Sequence, residues 1–181
     1  MTTIQSLKPN VTRSEALQHY TGGTFRVSDW FHGSVCSIAE LYIPFHLFQV
    51  TIRNSGKVDR GIFGVDAVQG VMDLYQFPSP PAPEDLLVIQ SRNVLPSTLA
   101  LTEARERLIS KIRRLVFTRG FFRMRDVEFD AAGIPGEVCI PYWVAFRGTD
   151  GRVRVSVLDA VRRRPEGAKV RQLVERWLQT H

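Results

Sequence analysis

The spacing of apolar residues along this chain changes several times, and each change marks an element. Thr12-Arg13-Ser14-Glu15 reads as a capping box, in which a threonine oxygen takes free backbone N–H groups and a glutamate three residues on reaches back. A short helix should follow, with Ala16, Leu17 and Tyr20 turned inward. Gly22-Gly23 ends it, because glycine readily takes the left-handed conformation of a helix stop. Residues 1–10 before it are polar and read as loose. Residues 25–29 then alternate apolar and polar, the period of a strand. A longer strand is predicted over 40–52. Leu41, Ile43, Phe45 and Leu47 share one face, and Tyr42, Pro44, His46 and Phe48 the other, so its middle is apolar on both sides. Asn54-Ser55-Gly56 makes a turn. Residues 62–68 return as a strand closed by Gln69-Gly70, and 71–77 extend the sheet.

Phe77-Pro78-Ser79-Pro80-Pro81-Ala82-Pro83 admits neither a regular helix nor a central strand. Four prolines in so short a span favour an extended polyproline connector. Residues 86–90 are apolar enough for a short strand or a docked arm. The strongest helical pattern comes next. Ala104, Leu108, Ile109, Ile112, Leu115 and Val116 form one stripe of a 3.6-residue period, with Thr102 as N-cap and Arg105, Glu106, Arg113 and Arg114 opposite. Gly120 stops it. Strands are predicted over 122–129, 137–147 and 152–161, with a hairpin at Asp150-Gly151, a strong hairpin pair. The chain closes on an amphipathic helix bearing Val170, Leu173, Val174, Trp177 and Leu178.

The pattern is given twice. A shift of ninety-seven residues lays Thr21, Gly23, Phe25, Arg26, Asp29, Glu40, Ile43 and Pro44 on Thr118, Gly120, Phe122, Arg123, Asp126, Glu137, Ile140 and Pro141 without a gap. Asp66-Ala67-Val68 returns as Asp159-Ala160-Val161 after a shorter connection. Such self-similarity predicts an internal duplication. The expected class is therefore α+β: two tandem repeats, each a helix plus a three-stranded antiparallel meander, related by a pseudo-twofold, with a C-terminal helix. The expected division is 1–80 for the first repeat and 81–181 for the second, packed as one globular unit.

Composition narrows the function classes. The chain has 181 residues and a net charge of +6, which permits nucleic acid, anionic membrane or acidic partners without bearing on fold. No run approaches the ~18 apolar residues of a membrane span. Residues 1–10 lack the apolar core of a signal peptide, so the expected location is cytoplasmic, or extracytoplasmic if a signal peptide has been removed. Cys36 and Cys139 do not correspond between the halves and read as two reduced, mostly buried thiols.

The order helix, hairpin, then a strand reading Val65-Asp66-Ala67-Val68-Gln69-Gly70 resembles the PepSY-type module, whose opening helix carries a Glu-Ala pair, here Glu15-Ala16-Leu17. The likeness covers most of 12–77 and, more loosely, 98–161; just beyond the second stretch Arg163 stands in place of the motif's glycine. It implies a non-catalytic binding or interaction module.

The repeated Asp29 and Asp126, Glu40 and Glu137, and Asp66 and Asp159 are suited to acid–base work only with shifted pKa values. At strand ends they more often satisfy turn N–H groups. Pro44 and Pro141, inside good strands, mark an edge or a bulge. His32, Cys36 and His46 lack the further ligand a zinc site needs, so no metal is expected. No phosphate loop, dinucleotide fingerprint or nucleophile elbow is present. No cofactor and no catalytic residue is expected. The leading reading is a non-enzymatic binding or protein-interaction module, holding a small ligand or protein in a groove between the repeats. Arg26, Arg123, His46 and Trp143 are its candidate contacts. The alternative is a nucleic-acid- or anion-binding protein using Arg162, Arg163, Arg164, Lys169 and Arg171, since such a basic run suits a phosphate backbone. A solvated helix start is the plainer meaning of that run. Either reading allows a homodimer.

Overall fold

In the computed structural model, residues 1–21, 34–54, 56–118, 127–149 and 152–180 are described. Expectations for the strand over 25–29, for most of 122–129 and for the turn at Asp150-Gly151 lie outside them. The described elements run β1 (Thr2–Leu7), α1 (Arg13–Thr21), β2 (Ser34–Asn54), β3 (Lys57–Asp66), β4 (Tyr75–Phe77), a 3-10 turn (Pro83–Asp85), β5 (Leu86–Ser91), α2 (Leu101–Thr118), β6 (Val127–Thr149), β7 (Arg152–Asp159), β8 (Arg164–Pro165) and α3 (Ala168–Thr180). The strands follow the order β4-β3-β2-β6-β1-β5, with β7 on β6 and β8 on β7. Most pairs are antiparallel, but β1 runs parallel to β6. The protein is α+β, with one mixed eight-stranded sheet and three helices among the described residues.

This corrects the expected class. Two tandem repeats of a helix and a three-stranded meander are not what forms. The physical reason is strand length. β2 has 21 residues and β6 has 23, several times the ~5–6 of an ordinary strand. Each contributes its two ends to different compact units, so neither is a strand of a self-contained meander. A second correction concerns the N-terminus: the residues read as loose form β1, which meets β6 at Ser6 and Cys139.

The chain divides into two compact units, Met1–Ile43 with Leu87–Leu95 and Cys139–His181, and Pro44–Leu86 with Pro96–Val138. In the first, α1 packs on the hairpin of β6 and β7. Val11, Ala16, Tyr20, Trp143, Ala145, Leu158 and Ala160 form the core there, with Val35 and Ile38 against it. Tyr20 donates its buried hydroxyl to the Trp143 carbonyl at 2.8 Å. α3 lies against β7 and buries Val170, Leu173 and Val174.

In the second unit, α2 covers the hairpin of β2 and β3. Ala104, Leu108 and Ile112 of its stripe are buried with Phe48, Val50, Val65, Leu99 and Ala131. Each such leucine or isoleucine contributes about 1.5–3 kcal/mol by leaving water. Several charged side chains of α2 are anchored to neighbouring groups. Arg105 bonds Asp130 and the Ala131 carbonyl, Arg107 bonds Glu103 and the Gln69 carbonyl, and Lys111 bonds the Met72 carbonyl.

Candidate functional site

The approach to α1 builds one wall of a cleft in the first unit. Thr12 gives both its N–H and its hydroxyl to Glu15 Oε2, at 2.7 and 2.8 Å, closing the expected capping box. These bonds hold the Glu15 carboxyl below the usual range. Asn10 donates through its backbone to the Ala160 carbonyl at 2.7 Å and through Nδ2 to Val161 at 2.8 Å. Trp143 Nε1 donates to the Val11 carbonyl at 2.9 Å. The segment bearing Pro9, Val11, Thr12 and Arg13 is thereby pinned at several points.

The facing wall is the start of β2 with the arm that follows β5. Asn93 Nδ2 donates to the Glu40 carbonyl at 3.0 Å, and Tyr42 and Asn93 bond through their backbones at 2.9 Å. Ile38, Ala39, Glu40, Ser91 and Asn93 complete a cleft of about 440 Å³. Two opposite charges line it. Glu40 is exposed and accepts from the Tyr42 hydroxyl at 3.2 Å. Burial, and then the Glu40 charge, push the Tyr42 hydroxyl up to about 12. Arg13 is exposed and makes no ion pair or side-chain hydrogen bond among the described residues. The recurrence of Glu40 at Glu137 marks it in the sequence, and Arg13 is visible there only within a helix cap. Asn93 carries no motif; its one signal is the polar break Ser91-Arg92-Asn93 between apolar runs.

Of the expected ligand contacts, Arg26 and Arg123 lie outside the described residues, as do Asp29, Asp126 and His32. Trp143 lines the cleft but is 5% exposed, its indole already committed to Val11. His46 belongs to the second unit. Its Nε2 lies 2.8 Å from the Leu99 carbonyl, which can only accept, so Nε2 carries a proton. Its Nδ1 stands 3.6 Å from Glu137, and Ser97 donates to that same carboxylate at 2.5 Å. The serine hydroxyl thus faces the acid and the imidazole faces a carbonyl. That is not the order of a nucleophile and its base, in which the base bonds the nucleophile.

The recurring aspartates act on turns. Asp66 takes the N–H groups of Gln69, Gly70 and Met72. Asp159 takes those of Val161 and Arg162 through Oδ1. Burial pushes the Asp159 carboxyl up, against the pull of those N–H groups and of Arg162 and Arg164. The basic run is partly neutralised where it stands. Arg163 bonds the Asn10 carbonyl and lies 3.6 Å from Glu15, and Arg164 lies 3.8 Å from Glu166. Lys169 and Arg171 are exposed on α3. Arg163 is exposed and at the same time ties the turn to the approach to α1.

Neither cysteine is in a disulfide. Cys139 is buried, while Cys36 is exposed, against expectation. Among the described residues no group of three His, Cys, Asp or Glu is placed to hold a metal, and no helix is long and apolar enough to cross a membrane. No family model matches the chain, and neither does any curated protein or solved structure.

Proposed function

We propose that this protein is a binding module rather than an enzyme, and that its first unit takes up a ligand or a partner segment in the cleft between the α1 approach and the start of β2. The observation that carries the reading is the pair Arg13 and Glu40. Both line one cleft, both are exposed, and Arg13 has no partner of its own among the described residues. A charged side chain without a structural partner remains available to a ligand. By contrast, Asp66, Asp159 and Glu137 already serve backbone or side-chain donors. The PepSY-type likeness at Glu15-Ala16-Leu17 and at 65–70 points to the same class of module. A reducing, cytoplasmic setting is part of the proposal, supported by two thiols outside any disulfide. The anion-binding alternative draws less support, because Arg163 and Arg164 already face Glu15 and Glu166.

The test is a ¹H–¹⁵N titration of the intact chain, once with a pool of blocked tetrapeptides sampling all side-chain classes and once with mixed oligonucleotides. The peptide pool should shift the Thr12, Arg13, Glu40 and Asn93 amides. Silence there, with oligonucleotides shifting Arg162, Arg164 and Arg171 instead, would replace this reading by the alternative.

A further inference from the structure

A second, smaller recess in the first unit says what the cleft accepts, an inference that rests on the binding reading above. This recess, about 110 Å³, is lined by Leu41, Val144, Phe146, Val174, Trp177 and Leu178. It exists because β6 alternates. Trp143 and Ala145 join the core under α1, while Val144 and Phe146 line the recess with the last turns of α3. Val170, Leu173 and Val174 of that helix are buried, but Trp177 and Leu178 are only half-buried. The recess shares Ala39, Glu40 and Asn93 with the polar cleft.

We propose that the two cavities form one composite site for a short extended peptide, with a leucine- or isoleucine-sized side chain in the recess and a neighbouring lysine or arginine against Glu40. Size sets the first requirement. At about 30 Å³ for each water-sized group, the recess holds about four, the carbon count of a leucine or isoleucine side chain. Charge sets the second. Glu40 stands on the rim common to both cavities, with its carboxylate held by Tyr42. A cation beside the apolar anchor meets it directly. The positive charge of the rest of the molecule opposes this little, because exposed charges are largely screened beyond about 8 Å at physiological salt. The third requirement is a backbone. Asn93 uses Nδ2 on Glu40, and its Oδ1 has no donor among the described residues. A side-chain carbonyl on the shared rim suits a peptide N–H. Arg13, in the polar cleft, suits a carboxylate or carbonyl further along. The cleft, about 440 Å³ against 110 Å³ for the recess, has room for several residues rather than one amino acid.

Titration calorimetry on the intact chain tests this with blocked Gly-Lys-Leu-Gly, Gly-Glu-Leu-Gly and Gly-Lys-Ala-Gly, and with free leucine. The Lys-Leu peptide should bind best. Exchange of its leucine for alanine should weaken binding about tenfold, since three methylene-sized groups leave a half-open apolar site. Exchange of its lysine for glutamate should weaken it at least about tenfold, by setting like charges together. Leu178→Trp, at a half-buried position, should fill the recess and reproduce the alanine effect, with an unchanged melting midpoint showing that the fold is kept. Glu40→Gln should erase the preference for lysine over glutamate. Equal binding of the leucine and alanine peptides, or indifference to Leu178→Trp, overturns the recess assignment and leaves the cleft reading standing. Tighter binding of free leucine overturns the peptide class. Absence of heat from all four ligands, while the tetrapeptide pool still shifts Arg13 and Glu40, refutes this ligand alone. If the pool is silent too, both readings fall.

Discussion

Arg163 and Gly70 take the same left-handed step in two different turns, with φ of 57° and 62°. In each turn the step follows an aspartate by four residues, and its N–H returns to that aspartate's carbonyl, at 3.0 and 3.1 Å. The sequence showed that the glycine of one turn is an arginine in the other, but not why each is tolerated. At Gly70 a Cβ would lie 2.6 Å from Arg107 Cδ and 2.9 Å from Leu99 Cδ2, so a side chain there would have to displace both neighbours. At Arg163 the side chain is exposed and bonds the Asn10 carbonyl. A side chain in the left-handed region costs about 1 kcal/mol. Arg163→Gly and Arg163→Ala lose the same contacts, but only the first relieves that strain. The glycine variant should therefore be more stable than the alanine variant by about 1 kcal/mol in urea denaturation.

Asp159 gives a second residue-scale test. Its Oδ2 is buried without a hydrogen-bond partner among the described residues, whereas both oxygens of Asp66 are engaged. Burial raises its pKa above the ordinary 3.8. An acid with a raised pKa binds its proton more tightly in the folded state. Its contribution is therefore most favourable at low pH and is lost as pH rises from about 3.8 through the raised value. Asp159→Asn retains the Oδ1 acceptor and cannot ionise. The difference in stability, wild type minus variant, should fall across that window and then level off; a flat difference between pH 3 and 7 contradicts it.

At the scale of elements, the two long strands repeat one local arrangement around their prolines. Tyr42 forms a parallel bridge with Val94, and Cys139 pairs in parallel with Ser6. Two residues on, Pro44 and Pro141 have no N–H to carry those ladders further. Their carbonyls accept from Ala67 and Ala160 at 2.8 and 3.1 Å. The antiparallel ladders begin one residue later, at Phe45 with Asp66 and at Tyr142 with Asp159. Both prolines are buried, so exchange for valine would add a buried donor. Pro44→Val and Pro141→Val should each cost about 1–3 kcal/mol, read as a lower denaturation midpoint. α2 and α3 were legible from their 3.6-residue stripes, α1 from its capping box, and the positions of the prolines from their recurrence. β1 was not, because its pairing is with a residue 133 positions away, Ser6 with Cys139, and a half-exposed polar strand leaves little alternation to read. The full reach of β2 and β6 was hidden for a related reason: their outer stretches are partly exposed and lack the dense apolar runs of their centres.

At the scale of the molecule, each unit draws on separated parts of the chain. α1 from the N-terminal half packs on β6 and β7 from the C-terminal half, and α2 packs on β2 and β3. Periodicity shows which face of a helix is apolar, not which hairpin will cover it. The candidate site inherits that difficulty. Its walls come from residues 9–13, 38–40, 91–93 and Trp143, four stretches with no motif in common, so Glu40 could be noticed in sequence while its neighbours could not. The cleft exists only if α1 belongs to the β6–β7 hairpin. An isotope-edited NOE experiment on the full chain measures that partnership most directly. Cross-peaks should join the Tyr20 ring to the methyls of Ala145 and Leu158. Peaks from Tyr20 to Phe48 or Val65 in their place would put α1 on its own half's hairpin, and would remove both the cleft and the function assigned to it.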